Sequence, residues 1–385
     1  MESAFTLLFL FLSSVAVAFS VSVEKPYGVA LNPLLLQKFR LKRSTIVTLP
    51  PTKFDGSFEQ YKNGFHAPKK SKGQAVSLEE EANRGSVLTV DRDGSQKLHS
   101  LLAEELKVFQ EAAALVQEER ANGRNCEDCK GPFEEVGPQG NSQEAEGNEP
   151  AGTKSRKMNT TSILGSDTRT EVLTANWVPA RQSGLLTFSG GWCTAALIGP
   201  RHILTAGHCV HQGNGGSWYG GFRFYPGRTR LSTTPYTSYG WSSISTYTGW
   251  TQNGDYDWDI ALITLSSATT FGWLSFGWSS SISTSWYINH KGYPQDKSYG
   301  SMWSSDGYIC DVDDHVLWTD TTDTVGGQSG GPWYRYVSSN PVVYAAHSGS
   351  YSWWFFGWNT QNRHTRITSG VFNDLCSWIA DSNVC

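Results

Sequence analysis

The pattern of apolar and polar positions changes character near residue 162. Before it, Leu98, Leu102, Leu106, Phe109, Ala113 and Val116 recur at three- and four-residue steps with Glu and Lys between them. That spacing predicts an amphipathic helix near 96–121, with Asp93 and Ser95 as candidate caps. After it, short apolar or alternating runs at Leu185–Phe188, Ala195–Ile198, His202–Thr205, Phe222–Tyr225, Ile260–Leu265 and Val342–Ala346 are separated by Gly, Ser, Asn and Asp turns. Such runs predict strands, and about 220 residues of them predict an all-β domain closed as one or two antiparallel barrels. Val371, Leu375, Trp378 and Ile379 return to helical spacing, so a single C-terminal helix is expected to pack on the barrels.

The N-terminal pattern reads as targeting and linkage. Ala4 to Phe19 is an almost unbroken apolar run that contains, near its end, the small-x-small pattern Ala16-Val17-Ala18, which predicts a signal peptide over 1–18. Glu2 stands where a positive charge is usual, and a short membrane anchor is the alternative. Residues 19–161 are expected to be a prosegment. Its stretch 123–153 is acidic, rich in Gly and Pro and poor in large apolar residues, the composition of a disordered linker. Cys126 and Cys129 lie there without a second pair to make a zinc site, so a local disulfide or a link to the second half is expected. Ser155-Arg156-Lys157 offers a dibasic processing site, and Asn159-Thr160-Thr161 a glycosylation sequon at Asn159.

Composition sharpens the division. All 16 tryptophans lie in 162–385, and that half has one glutamate, Glu171, beside 13 aspartates, whereas 21–161 holds 16 glutamates. The net charge of -4, without a basic excess in either half, gives no footprint for nucleic-acid binding.

Candidate chemistry sits in three places. Gly326-Gly327-Gln328-Ser329-Gly330-Gly331-Pro332 surrounds Ser329 with glycines, which permit a tight turn and leave main-chain N–H groups free to face a developing oxyanion. A serine hydroxyl needs a base. Leu204-Thr205-Ala206-Gly207-His208-Cys209 supplies His208 at the end of a strand, and a disulfide between Cys209 and Cys193 on the preceding strand would pin that loop. His208, Cys209 and His211 also invite a zinc reading, but adjacent His-Cys is not ordinary ligand spacing and no metal is expected. Asp259 heads the apolar run Ile260-Ala261-Leu262-Ile263, where a carboxylate is expensive unless paired; orienting His208 would pair it, with Asp257 as the fallback.

These residues in the order His, Asp, Ser resemble the chymotrypsin-fold serine endopeptidases. More closely, residues 162–385 resemble the bacterial glutamyl endopeptidases through Ile163-Leu164-Gly165-Ser166-Asp167-Thr168-Arg169, Ile198-Gly199-Pro200, Tyr225-Pro226-Gly227-Arg228, Gly292-Tyr293-Pro294-Gln295-Asp296-Lys297, Asp323 to Gly330 and Thr365-Arg366-Ile367-Thr368. The prosegment carries no such likeness. The resemblance implies two β-barrels with His208, Asp259 and Ser329 in the cleft between them, and an oxyanion hole from the N–H groups of Gly327 and Ser329. It implies no organic cofactor. Gln328 stands where trypsin-like zymogens place an aspartate, so activation through an internal ion pair to that residue is not expected.

Two specificities compete. Asp323, six residues before Ser329, occupies the place of the carboxylate that attracts Lys or Arg in trypsin-like enzymes. Thr324 and His347 match the residues that face a substrate carboxylate in glutamyl endopeptidases, where a desolvated Glu side chain needs charge-assisted donors. The scarcity of Glu, but not Asp, in 162–385 suits a Glu-cleaving enzyme that must survive its own company. The expectation is a secreted, monomeric serine endopeptidase acting on proteins or peptides after Glu, freed from its own prosegment by cleavage and without membrane attachment once the signal is removed. Arg or Lys specificity, or a catalytically silent binding protein on the same fold, are the alternatives. The pairing of Cys310, Cys376 and Cys385 is left open.

Overall fold

The computed structural model describes residues 45–56, 77–101, 107, 163–231, 237–354 and 358–385. The expected signal peptide, the acidic linker, Cys126, Cys129, the dibasic site and Asn159 lie outside the described residues. In chain order the elements are β1 (Thr45–Leu49), α1 (Leu78–Arg84), β2 (Val87–Asp91), β3 (Gln96–Ser100), β4 (Thr170–Val172), β5 (Ser183–Phe188), β6 (Gly191–Gly199), β7 (His202–Thr205), β8 (Arg223–Pro226), β9 (Trp241–Tyr247) and α2 (Thr248–Thr251). They continue with β10 (Ala261–Leu265), β11 (Ser275–Phe276), β12 (Tyr287–Gly292), β13 (Met302–Val312), β14 (Val316–Thr319), β15 (Pro332–Val337), β16 (Asn340–Trp354), β17 (Trp358–Arg366) and α3 (Ser369–Ile379). Among the described residues no helix is long and apolar enough to cross a membrane.

Strands β9-β10-β7-β6-β5-β8 form the first barrel, closed where Phe224 of β8 bridges Tyr239 just ahead of β9. The second barrel runs β16-β15-β12-β13-β14-β17 and closes by direct β16–β17 pairing. The apolar runs of the first barrel are continuous because both faces of its strands are buried. Along β6 and β10, Cys193, Ala195, Leu197, Ala261, Ile263 and Leu265 fill the barrel interior. The alternate residues Ala196, Ile198 and Leu262 join a second core with Tyr334, Val343 and Ala346 of the other barrel. Period-two alternation thus places one face in each core, and the two cores fix the barrels' relative position.

Helix α3 belongs to this inter-barrel core through Val371, Leu375 and Ile379. Its Thr368 Oγ1 accepts from the Val371 N–H at 3.2 Å, and Tyr247 donates across to Asp374 at 2.8 Å. A Cys376–Cys385 disulfide closes the C-terminus, and Cys310, which is not in a disulfide, accepts from Gln361 at 3.2 Å.

Upstream of residue 162 the expectation needs correction. Residues 96–100, read as the first turns of a helix, form β3, whose Leu98 pairs with Leu88 of β2 and Val47 of β1. Asp93 and Ser95 belong to the β2–β3 turn, where Ser95 N–H donates to Asp93 Oδ1 at 2.9 Å. The Leu98 to Leu102 interval satisfied helical spacing by coincidence: a strand partner in β2 decides the conformation, as tertiary context overrides local pattern. Past Ser100, only Leu101 and Lys107 of the 96–121 stretch are described, the latter helical.

Candidate active site

Each candidate residue is presented by an element end. Strand β7 delivers His208 into a buried 3-10 turn, Gly207–Cys209, and a Cys193–Cys209 disulfide ties that turn to β6. The sulfurs of the Cys193, His208, Cys209 cluster are joined to each other, so the cluster offers one imidazole and no thiolate to a metal. Asp259 follows the 3-10 turn Tyr256–Trp258, which Asp255 caps by accepting from the Asp257 N–H at 3.2 Å.

The carboxylate at His208 is Asp259 rather than Asp257. Its Oδ2 lies 2.7 Å from His208 Nδ1, and its Oδ1 accepts the His208 backbone N–H at 2.7 Å. Asp259 is fully buried, as the sequence position implied, and three donors satisfy it: the two from His208 and the hydroxyl of Ser348 on Oδ2 at 2.5 Å. With a carboxylate as acceptor, Nδ1 carries the imidazole proton and Nε2 is the basic nitrogen. Trp250 packs edge-on to the ring at 6.0 Å.

Ser329 is held beside the strand end that carries His208 by its neighbours' hydrogen bonds. Its carbonyl accepts the Thr194 N–H at 2.8 Å, and Gly330 N–H donates to the His347 carbonyl at 2.7 Å. Gly330 has φ +77°, and a Cβ there would lie 2.1 Å from Thr205 Oγ1 and 2.8 Å from the Ala206 nitrogen, two residues ahead of His208. The nucleophile loop therefore lies between the strand end that carries His208 and the His347-Ser348 edge whose hydroxyl holds Asp259.

The preceding turn is fixed as firmly. Gly327 has φ +92°, and a side chain would meet the Tyr293 carbonyl at 2.4 Å and Trp192 Nε1 at 2.8 Å. Its carbonyl accepts the Thr194 hydroxyl at 2.9 Å, while Thr194 Oγ1 accepts the Tyr293 N–H at 3.0 Å. Among the described residues neither the Gly327 nor the Ser329 N–H donates to a backbone carbonyl. Gln328 points inward: its Oε1 accepts from Val325 N–H at 2.9 Å and from Arg169 at 3.1 Å. Arg169 is clamped by Asp167 and Asp296. Burial works against the guanidinium charge, but the two carboxylates outweigh it and hold its pKa above the usual arginine range.

The two specificity candidates separate sharply. Asp323 is buried, with Oδ1 accepting the Leu164 N–H at 2.8 Å and Oδ2 accepting both the Thr168 N–H and hydroxyl at 2.7 Å. Its carboxylate anchors the 163–168 segment. His347 is also buried, and its Nδ1 lies 3.2 Å from Nδ1 of His364, whose Nε2 reaches Thr319 Oγ1 at 3.0 Å. Burial, with the nearby His364, His290, His208 and Arg363, pushes the His347 pKa well below 6.5, so the ring is neutral at neutral pH. If His364 donates to His347 Nδ1, the proton of His347 sits on Nε2. Thr324 departs from the expectation: its hydroxyl donates to Asn362 Oδ1 at 2.7 Å, and Asn362 in turn donates to the Thr322 carbonyl at 2.6 Å, so the threonine proton is already engaged.

Sequence reading missed Ser348, Arg363, His364 and Asn362. Ser348 directly follows His347 and was within reach of the same motif. The other three come from β17, Trp-Asn-Thr-Gln-Asn-Arg-His-Thr-Arg, whose polar sequence gives no strand signal although Asn362, Arg363, His364 and Thr365 are all buried. Arg363 stacks on Tyr256 at 3.7 Å and donates to Ser348 Oγ at 3.3 Å.

Comparison with known proteins identifies the family and the fold. The family described as "Trypsin-like peptidase domain" matches residues 193–342. The chain is 34% identical over 224 residues to a protein of Bacillus licheniformis named "Glutamyl endopeptidase", covering 56% of this chain and 69% of that one. A Bacillus subtilis protein named "Extracellular metalloprotease" is 34% identical over 227 residues, with the same two coverages. The solved "Structure of Glu endopeptidase in complex with MPD" superimposes with a TM-score of 0.51 and 26% identity over 57% of this chain and all of its own.

Proposed function

The chain belongs to the trypsin-like serine peptidases of chymotrypsin fold, and from that premise we propose that it is a secreted endopeptidase that cleaves after glutamate. The site supports an acyl-enzyme route. His208 Nε2 takes the proton of Ser329 Oγ as the oxygen attacks the scissile carbonyl, and Asp259 stabilises the imidazolium through Nδ1. The N–H groups of Gly327 and Ser329 receive the oxyanion. Collapse of the tetrahedral species passes the proton to the leaving amine, and water repeats the sequence to release the acid.

The observation that carries the glutamyl reading is the state of Asp323. Its carboxylate already accepts three hydrogen bonds from Leu164 and Thr168, which leaves it poorly suited to pair a substrate cation. The buried donor that fits an anionic side chain is His347, backed by His364 and Thr319, whereas Thr324 gives its proton to Asn362. Values of kcat/KM on matched Glu, Gln, Asp and Arg peptides test the assignment: Glu is expected to lead, and preferred cleavage after Arg would overturn it. Fluorophosphonate labelling of the processed protein, lost in Ser329→Ala, is the accompanying test of the nucleophile.

A further inference from the structure

We propose that residues 45–101 stay bound to the protease domain after the linker is cut, as a non-covalent structural subunit that completes the β9 edge of the first barrel and braces the turn carrying Asp259. Strand β2 adds antiparallel to β9 over five pairs, from Val87 against Tyr247 to Asp91 against Ser243. Without it, β9 would present unpaired backbone groups to solvent, a state folded proteins avoid. β2 also continues the barrel's own two-faced pattern: Leu88 and Val90 enter the barrel core, and Val87 enters the inter-barrel core with Trp250, Trp258 and Leu262. Leu49 and Phe54 pack on the same barrel core, Phe54 edge-on to Trp241 at 5.0 Å.

Polar contacts fix the register. Thr248 donates its N–H to the Ser86 carbonyl at 2.8 Å, and its hydroxyl bonds the end of α1 at Asn83. Arg92 N–H donates to the Ser242 carbonyl at 2.8 Å, Gly56 N–H to the Trp218 carbonyl at 2.9 Å, and Thr89 shares a bond with Ser245 at 2.9 Å. Arg84 binds Asp255 Oδ2 at 2.7 Å, on the carboxylate that caps the turn leading to Asp259, and Glu81 lies 3.3 Å from His315. The hydrogen bonds and ion pairs named here run to the first barrel, to Asp255 and to His315, rather than to Ser329, Thr324 or His347.

The docking contacts named above all lie upstream of residue 102, so a cut within 123–153 leaves each of them intact. Buried apolar area, backbone pairing and ion pairs of this kind are what hold a separate chain in place. The test uses the full chain carrying Ser329→Ala, to prevent self-digestion, with a site for a sequence-specific protease inserted between residues 123 and 153. After cutting, both pieces are expected to co-elute in size exclusion at the volume of the uncut chain, in one-to-one ratio by intact mass, with the β9 amides exchanging as slowly as before. Elution as two separate species overturns the proposal. Arg84→Glu, which faces Asp255 with like charge, is expected to raise the Kd of the piece about tenfold or more, equivalent to about 1.4 kcal/mol; an unchanged Kd overturns the bracing contact. Both readouts are independent of substrate preference.

Discussion

A buried carboxylate takes its role from the donors around it, and Asp323 has three of them in Leu164 and Thr168. Asp323→Ala is expected to strand those donors and destabilise the domain by about 3 kcal/mol in denaturant unfolding, without removing any cleavage after Arg. His347→Ala is expected to lower kcat/KM for Glu peptides by about thirty-fold or more while Gln peptides change far less, because the substrate carboxylate then sits desolvated without its donor at a cost of about 2–5 kcal/mol. The pH behaviour follows from burial. The His347 pKa lies well below 6.5, so its charge does not change between about pH 8 and 6, and selectivity for Glu over Gln is expected to stay flat there. Selectivity that climbs as pH falls through 6.5 would show a charged imidazole instead. The candidate nucleophile and base were legible because each sits in a local motif. Arg169 was legible as a matching residue, but its contact with Gln328 was not, since 159 positions separate them.

At the scale of elements, burial of polar groups explains what hydrophobic patterning could not find. Strands β6, β7 and β10 announce themselves because both faces meet apolar cores. Strand β17 does not, because its buried face carries Asn362 and His364, the partners of Thr324 and His347, and such polar residues are tolerated inside only when hydrogen-bonded. The misread helix has the complementary cause: Leu98 fits either period, and β2 supplies a strand partner that a local window does not contain. Docking of α1 should respond to pH. Burial disfavours charge on His315, but the bond to Glu81 prevails and raises the pKa above 6.5. A raised folded pKa gives stabilisation that is complete below the unfolded pKa and is lost as pH rises through the folded value. Thermal unfolding of the full chain is therefore expected to lose this increment above about pH 6.5, and His315→Gln to remove that pH dependence. An unchanged profile in the variant would count against the pair.

For the whole molecule, cutting the chain and losing its N-terminal part are separate events. The segment 163–168 is already tied to Asp323 beside the nucleophile loop, and a new amine at its start is expected to complete the site, so activity should require cleavage near Arg156-Lys157 followed by trimming toward Ser162. N-terminal sequencing of the active form checks this, and full activity with both basic residues replaced and the chain intact would contradict it. Cleavage is expected to be enough without departure of residues 45–101. The sequence by itself determined the all-β class of the second half, the C-terminal helix, the Cys193–Cys209 pairing and the three motifs that carry His208, Asp259 and Ser329. These are properties of composition, short-range period and local spacing. Only the tertiary structure decided that Asp323 is an anchor for Leu164 and Thr168, that Thr324 gives its proton to Asn362, and that a buried polar strand backs His347. It also decided that the stretch ahead of the linker is a sheet on β9. Each of these depends on partners 17 to 162 positions away in the chain, as in His347 with His364 and Ser86 with Thr248, and a hydrogen bond's donor is chosen by proximity in space, which spacing along the sequence does not encode.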